Sequence, residues 1–199
     1  MKYFKVFIIT TIIAVTVLSI LYLTKFARRI QEYTFLGEDS FNIVLYTTSD
    51  NSFSDGSIKD LLDYIENLQN GFGVKFINLG YVGDKEILER KLSRITKENG
   101  RYIILDICVN DKMVNKDTIL LRVEKNENYD SNINYANKIR DILNKDRVNI
   151  LGESKCYMQE FGDKALRVEI SSKNTINDAK KLIDKVMYAI FKTITDGEI

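Results

Sequence analysis

RYIILDI, Arg101–Ile107, is the stretch whose reading decides the fold. It is too short for an ordinary core helix, rich in isoleucine, and stopped on its upstream side by Gly100. A run of this kind reads as a strand buried on both faces, central in a sheet flanked by helices. The segments on either side repeat one alternation. Upstream, residues 84–99 form a charged helix with a narrow Leu88, Leu92, Ile95 stripe, preceded by a strand over Val74–Leu79. Before that, Ser57–Gln69 reads as a helix: Ser57 is its N-cap, Asp60 sits in the first turn, and Ile58, Leu61, Leu62, Ile65 and Leu68 share a face. Gly71 and Gly73 punctuate its end, and FNIVLY, Phe41–Tyr46, is the first strand.

Downstream, strands are expected over Thr118–Val123, Val148–Leu151 and Ala165–Ile170. Helices are expected over Asn132–Asn144 and Thr175–Thr193, with no repeat or low-complexity segment between them. Strands alternating with helices predict an α/β fold, a sheet with helices on both faces. In such sheets sites form where loops leave the carboxyl ends of central strands. That directs attention to Thr47–Phe53, Cys108–Asp111 and Glu169–Ser172.

Composition restricts the chemistry. The chain of 199 residues is 45% hydrophobic and 29% charged, which suits a folding chain of one modest domain plus an anchor. A net charge of +1 gives no basic face for nucleic acid, so no nucleic-acid partner is expected. There is no histidine, which removes the commonest metal ligand and the commonest general base near neutral pH. The two cysteines, Cys108 and Cys156, fit no C-x-x-C motif and read as free, partly buried thiols. A bridge between them would require the two chain segments to be close in space.

Val6–Thr24 carries no charge and is dominated by Ile, Val, Leu and Phe. As a helix it would run roughly 28 Å, close to the hydrocarbon thickness of a bilayer. The stretch is longer than a usual signal-peptide core, and no small-x-small cleavage site follows it. The expected organisation is an N-terminal membrane anchor over residues 1–24, a juxtamembrane linker over 25–40 and a folded domain over 41–199. Lys2 and Lys5 precede the span, whereas Lys25, Arg28 and Arg29 follow it; charge alone favours a cytoplasmic domain.

Read in order, the three strand ends resemble the stage II sporulation protein P family of membrane-anchored N-acetylmuramoyl-L-alanine amidases. The likeness runs over roughly Phe41–Thr193. In that family the first strand ends in Tyr-His-Thr-His-x-Thr-Glu-Ser-Tyr; the matching stretch here is Leu45-Tyr46-Thr47-Thr48-Ser49-Asp50-Asn51-Ser52-Phe53. Tyr46 and Thr48 stand where the histidines would be, and Asn51 where the glutamate would be. The family's Asp-x-His-Arg-Asp becomes Asp106-Ile107-Cys108-Val109-Asn110, so Cys108 replaces another histidine. Its Leu-x-Glu-Val-Gly-Gly becomes Arg167-Val168-Glu169-Ile170-Ser171-Ser172, with Glu169 at the position of the catalytic glutamate. Asn128–Ala136 is similar to the family's Asn-rich lead into its third helix.

The resemblance implies a zinc-amidase-like fold, preceded by one transmembrane helix, with the domain on the extracytoplasmic side of the cell membrane. It also implies a degenerate site. A catalytic zinc of this kind uses about three protein ligands and an open position for water, which the metal activates while a glutamate moves the proton. Tyr46, Thr48, Asn51 and Cys108 leave one strong ligand at most, so no zinc and no other cofactor is expected. The expectation is a pseudoenzyme in which Glu169 is a relic. It would bind peptidoglycan or other membrane proteins of a sporulation complex. The alternative is an active amidase with rearranged ligands, Cys108, Asp50 and Glu169 around a metal. A third reading is a structural membrane protein that kept the fold without the cleft.

Overall fold

The computed structural model describes residues 41–68, 74–97, 101–143, 147–153 and 158–197. The apolar stretch Val6–Thr24, the linker over residues 25–40 and Cys156 lie outside the described residues, and the anchor and the Cys108–Cys156 pairing lie outside them too. Among the described residues no helix is long and apolar enough to cross a membrane.

The chain builds, in order, β1 (Phe41–Thr47), α1 (Ile58–Glu66), β2 (Lys75–Tyr81), α2 (Lys85–Lys97), β3 (Arg101–Asn110), β4 (Ile119–Glu124), α3 (Tyr129–Leu143), β5 (Val148–Glu153), β6 (Ala165–Ser171) and α4 (Ile176–Thr195). A short 3-10 helix, Gln159–Phe161, precedes β6. The strands form one six-stranded sheet in the order β2-β1-β3-β6-β4-β5. RYIILDI is central as expected, lying in β3 between β1 and β6. Strands β2, β1, β3 and β6 are mutually parallel; β4 runs antiparallel to β6, and β5 parallel to β4.

Local chemistry sets the helix starts. Ser57 and Asp60 form a capping box on α1: each side chain accepts from the other's backbone N–H. Asp84 Oδ1 accepts from the N–H groups of Glu86 and Ile87 at the head of α2. Thr175 accepts from Asp178 N at the head of α4. One extra residue in β2 shifts its register against β1 between Leu45 and Thr47. Gly80 takes φ +67 there, a conformation that a side chain would strain.

The period-two alternation divides the sheet into two faces. Ile43, Leu45, Ile103, Leu105, Ile107, Leu121, Val168 and Ile170 face the main core, which α1, α3 and α4 cover with Leu61, Ile65, Ala136, Ile139, Ile183 and Ile190. Val44, Tyr46, Ile104 and Ala165 face a smaller cluster closed by Leu88 and Leu92 of α2, with Met158. So among the described residues α-helices occupy both faces, three on one and one on the other. The single helix covers only part of its face. The carboxyl ends of β1, β3 and β6 on that side are lined instead by polar side chains.

The 3-10 segment fills a gap that the change of strand direction opens. The β4–β6 pairing runs from Ile119↔Ile170 to Arg122↔Arg167 and stops. Beyond it the Gln159 amide acts as a strand would: Oε1 accepts from Glu124 N at 2.6 Å and Nε2 donates to Arg122 O at 2.9 Å. Asn132 Oδ1 accepts from Ala165 N at 2.8 Å on the other side of the gap. Both amides are buried, at 2% and 0% exposure, because unpaired backbone groups in that wedge would have no water.

Candidate functional site

Parallel pairing of β1, β3 and β6 brings the three strand ends together, and the register sets which side chains meet. One row across the sheet contains Tyr46, Asp106, Arg167 and Arg122; the next contains Cys108, Glu169 and Leu120. Thr48 follows β1 directly and reaches across to β3. Its N–H donates to Asp106 Oδ1 at 3.1 Å and its hydroxyl to Asp106 Oδ2 at 2.9 Å. Cys108 Sγ donates to Asp106 Oδ1 at 3.1 Å and lies 3.8 Å from Thr48 Oγ1.

Two arginines tie this cluster to Glu169. Arg167 Nε donates to Glu169 Oε1 at 2.8 Å, and its Nη1 lies 3.4 Å from Thr48 Oγ1 and 3.5 Å from Asp106 Oδ2. Arg122 Nε lies 2.7 Å from the same Glu169 oxygen, the approach of an ion pair without the alignment of a hydrogen bond. Asn110 Nδ2 donates to Glu169 Oε2 at 2.6 Å. Above these groups lies an open cavity of about 290 Å³, lined by Ser49, Asn51, Asn110, Lys112, Arg122, Arg167 and Glu169 among others.

The electrostatics follow from burial. Burial pushes the Asp106 carboxyl above the usual carboxylate value, opposed by Arg167 and by the hydrogen bonds from Cys108 and Thr48. Burial, and then the neighbouring Asp106, push the Cys108 thiol far above its ordinary range, so it stays protonated near neutral pH. Tyr46 is 1% exposed, and burial followed by Asp106 raises its hydroxyl well above the usual value.

The residues singled out in the sequence are therefore distributed as follows. Thr48, Cys108 and Glu169 share one face at one end of the sheet. Tyr46 lies one row deeper, packed with Val44, Val82 and Leu88. Asn51 sits at the cavity rim with its amide donating to Val109 O at 3.1 Å. Asp50 is exposed. Arg122 and Arg167 were not anticipated. Their signal was present in the alternation, because ILLRVE and ALRVEIS each put a basic and an acidic residue two apart, on one strand face.

A search with family models finds no match, and neither does a search of curated proteins. Among solved structures the domain has the fold of an amidase. It superposes on the N-acetylmuramoyl-L-alanine amidase AmiC2 of Nostoc punctiforme with a TM-score of 0.54, at 9% identity, over 79% of this chain and 99% of that one. That likeness establishes an amidase-like α/β fold.

An amidase of the resembled family carries zinc, and the residues here do not fit one. Among the described residues no group of three His, Cys, Asp or Glu side chains could hold a metal ion. The Cys108 thiol is protonated and turned to Asp106. Thr48 donates its hydroxyl to Asp106, and Asn51 and Tyr46 are committed elsewhere. Glu169, the residue matched to the family's proton-moving glutamate, is held on one oxygen by two guanidinium groups and on the other by Asn110.

Proposed function

We propose that this domain is a non-hydrolytic relative of the peptidoglycan amidases, held at the membrane by Val6–Thr24 with the domain on the extracytoplasmic side, and working as a module that binds cell wall or a membrane partner. The observation that carries this reading is the saturation of Glu169. One Glu169 oxygen accepts from Asn110 and the other faces both Arg122 and Arg167, so both oxygens are engaged by protein groups rather than turned to a water in the cavity. Amide hydrolysis needs an activated water and a base to serve it, and the Thr48–Asp106–Cys108–Arg167 cluster supplies neither. The amidase-like fold supports the wall relation, and the likeness to the stage II sporulation protein P family supports the sporulation context and the anchor.

The test is metal content and activity on one sample of the full chain in detergent micelles. After dialysis against zinc, elemental analysis should find less than about a tenth of an equivalent, and muropeptides should stay uncleaved. The same sample should co-sediment with purified sacculi. Near-stoichiometric zinc, with cleavage lost in Cys108→Ala and in Glu169→Gln, would instead establish a His-free amidase using Cys108, Asp50 and Glu169. Absence of both cleavage and wall retention would leave the partner-binding half of the proposal.

A further inference from the structure

Two loops border the cavity. Ser49 and Asn51 line it from residues 48–57, which follow β1; Asp111 and Lys112 line it from residues 111–118, which join β3 to β4. The first loop is pinned to β3 at its inner end, where Ser49 Oγ and Asn51 Nδ2 both donate to Val109 O, at 3.3 and 3.1 Å. The second continues directly from β3. The outer parts of both are fastened to one place, the turn Ser171–Ile176 between β6 and α4. On one side of the turn, Asn174 O accepts from Ser54 N at 3.4 Å and from Ser54 Oγ at 3.2 Å. Asp55 Oδ1 accepts from Ile176 N at 2.6 Å, and Gly56 packs so close to Ile176 that an added Cβ would lie 3.0 Å from the isoleucine Cβ. On the other side, Ser171 Oγ donates to Met113 O at 2.7 Å and Asn174 Nδ2 to Lys116 O at 3.1 Å.

Asn174 is thus bonded to both loops. It is 1% exposed, although it belongs to a connection rather than to a strand or helix. Its amide also donates to Ser171 O at 3.2 Å, and its own N–H donates to the same oxygen at 3.1 Å. The side chain therefore holds in place the carbonyl that Ser54 uses. Connecting segments ordinarily run over the surface and open locally, each on its own. A buried amide shared by two of them removes that independence, because releasing either loop strands a polar group of Asn174.

We infer that Ser171–Ile176 is a clasp that makes the two cleft loops open and close as one body, with Asn174 as its positioning residue. The width of the cleft is set from behind, by this turn. A group entering between Ser49 and Lys112 therefore displaces both walls or neither. The inference goes beyond the binding-module reading and does not depend on what the cleft takes up.

Hydrogen–deuterium exchange read by mass spectrometry, on the full chain in micelles, tests the coupling with two variants that each cut one side of the clasp. Asn174→Ala removes the bond to Lys116 O, and Ser54→Ala removes one bond to Asn174 O from an exposed position. Loss of one hydrogen bond corresponds to about a fivefold change in local opening. Coupling between two sites is reciprocal. Each variant should therefore speed exchange about fivefold both in peptides covering 49–56 and in peptides covering 111–118, while α3 exchanges at the wild-type rate. An increase confined to the loop that each variant touches would overturn the clasp. So would an equal increase in α3, the mark of a general loss of stability. If Asn174→Ala does not fold, Ser54→Ala decides by itself: faster exchange at 111–118 supports the clasp, and an unchanged rate there overturns it.

Discussion

Gln159→Ala should destabilise the domain by about 2–3 kcal/mol. The wild-type amide satisfies two backbone groups that the sheet leaves behind where β4 departs from β6: Glu124 N at 2.6 Å and Arg122 O at 2.9 Å. Alanine removes both hydrogen bonds and leaves a donor and an acceptor facing a void. An orphaned buried group costs roughly 1–3 kcal/mol, and Glu124 and Arg122 are only partly buried, which lets water recover some of the loss. Urea unfolding of the full chain in mild detergent, followed by circular dichroism, reads the difference. Gln159→Glu sharpens the argument. It keeps an acceptor for Glu124 N but turns a carboxylate oxygen toward Arg122 O unless it is protonated. Its folded-state pKa should therefore be raised, and the variant should recover stability as pH falls toward 4, the direction expected when the folded state binds the extra proton. A Gln159→Ala variant within about 0.5 kcal/mol of wild type, the range of an indifferent surface change, would refute the amide's role as a substitute strand.

Three further outcomes follow from the site. Arg167→Met should cost about 2–4 kcal/mol in the same unfolding assay, below the full figure for a broken buried pair because Arg167 is 21% exposed and Arg122 remains beside Glu169; Arg167→Met with Glu169→Met should restore part of it. In a Cys156→Ser background, Cys108 should resist a thiol-reactive disulfide reagent at neutral pH and react fully in denaturant, because it is 1% exposed and burial keeps it protonated. Asp106 has a carboxyl whose folded pKa lies above its ordinary value of 3.8, so its contribution is most favourable at low pH and is lost as pH rises through the folded pKa. Accordingly Asp106→Asn should compare better with wild type at pH 7 than at pH 4, and a difference that does not change with pH would remove burial as the dominant influence on Asp106.

The elements themselves were largely legible because patterning and caps agree. Ser57 and Asp60, the stripe through Leu88 and Leu92, and the apolar β3 run each point to one structure, and the chain adopts it. The boundaries moved where local chemistry is ambiguous. Helix α3 begins at Tyr129, before the expected Asn132, since Asn128-Tyr129-Asp130-Ser131 has turn-forming composition but is pulled into the helix by Asn128 O accepting from Asn132 N. Strand β3 continues through Cys108, Val109 and Asn110 because β6 offers it a partner, which composition alone does not reveal. Strand order and the reversal at β4 depend on long-range pairing and were not readable. At the site, Glu169, Cys108 and Thr48 could be found from their positions at strand ends. The arginines that define the charge pattern were hidden inside strands, where a sequence reading assigns charged residues to a solvated face.

The position of β6 has a consequence for how the domain is made. It is the last strand of the chain yet lies between β3 and β4. During synthesis the first half offers β2-β1-β3 with β3 as an open edge, and the β4-β5 pair has its own open edge, until some forty residues after β4 the missing strand emerges. Open apolar edges of this kind recruit other chains. A ribosome that stalls, or a protease that cuts, before Ala165 would therefore release two sticky half-sheets instead of a smaller domain, and every charged group of the cleft would be assembled only at the final step.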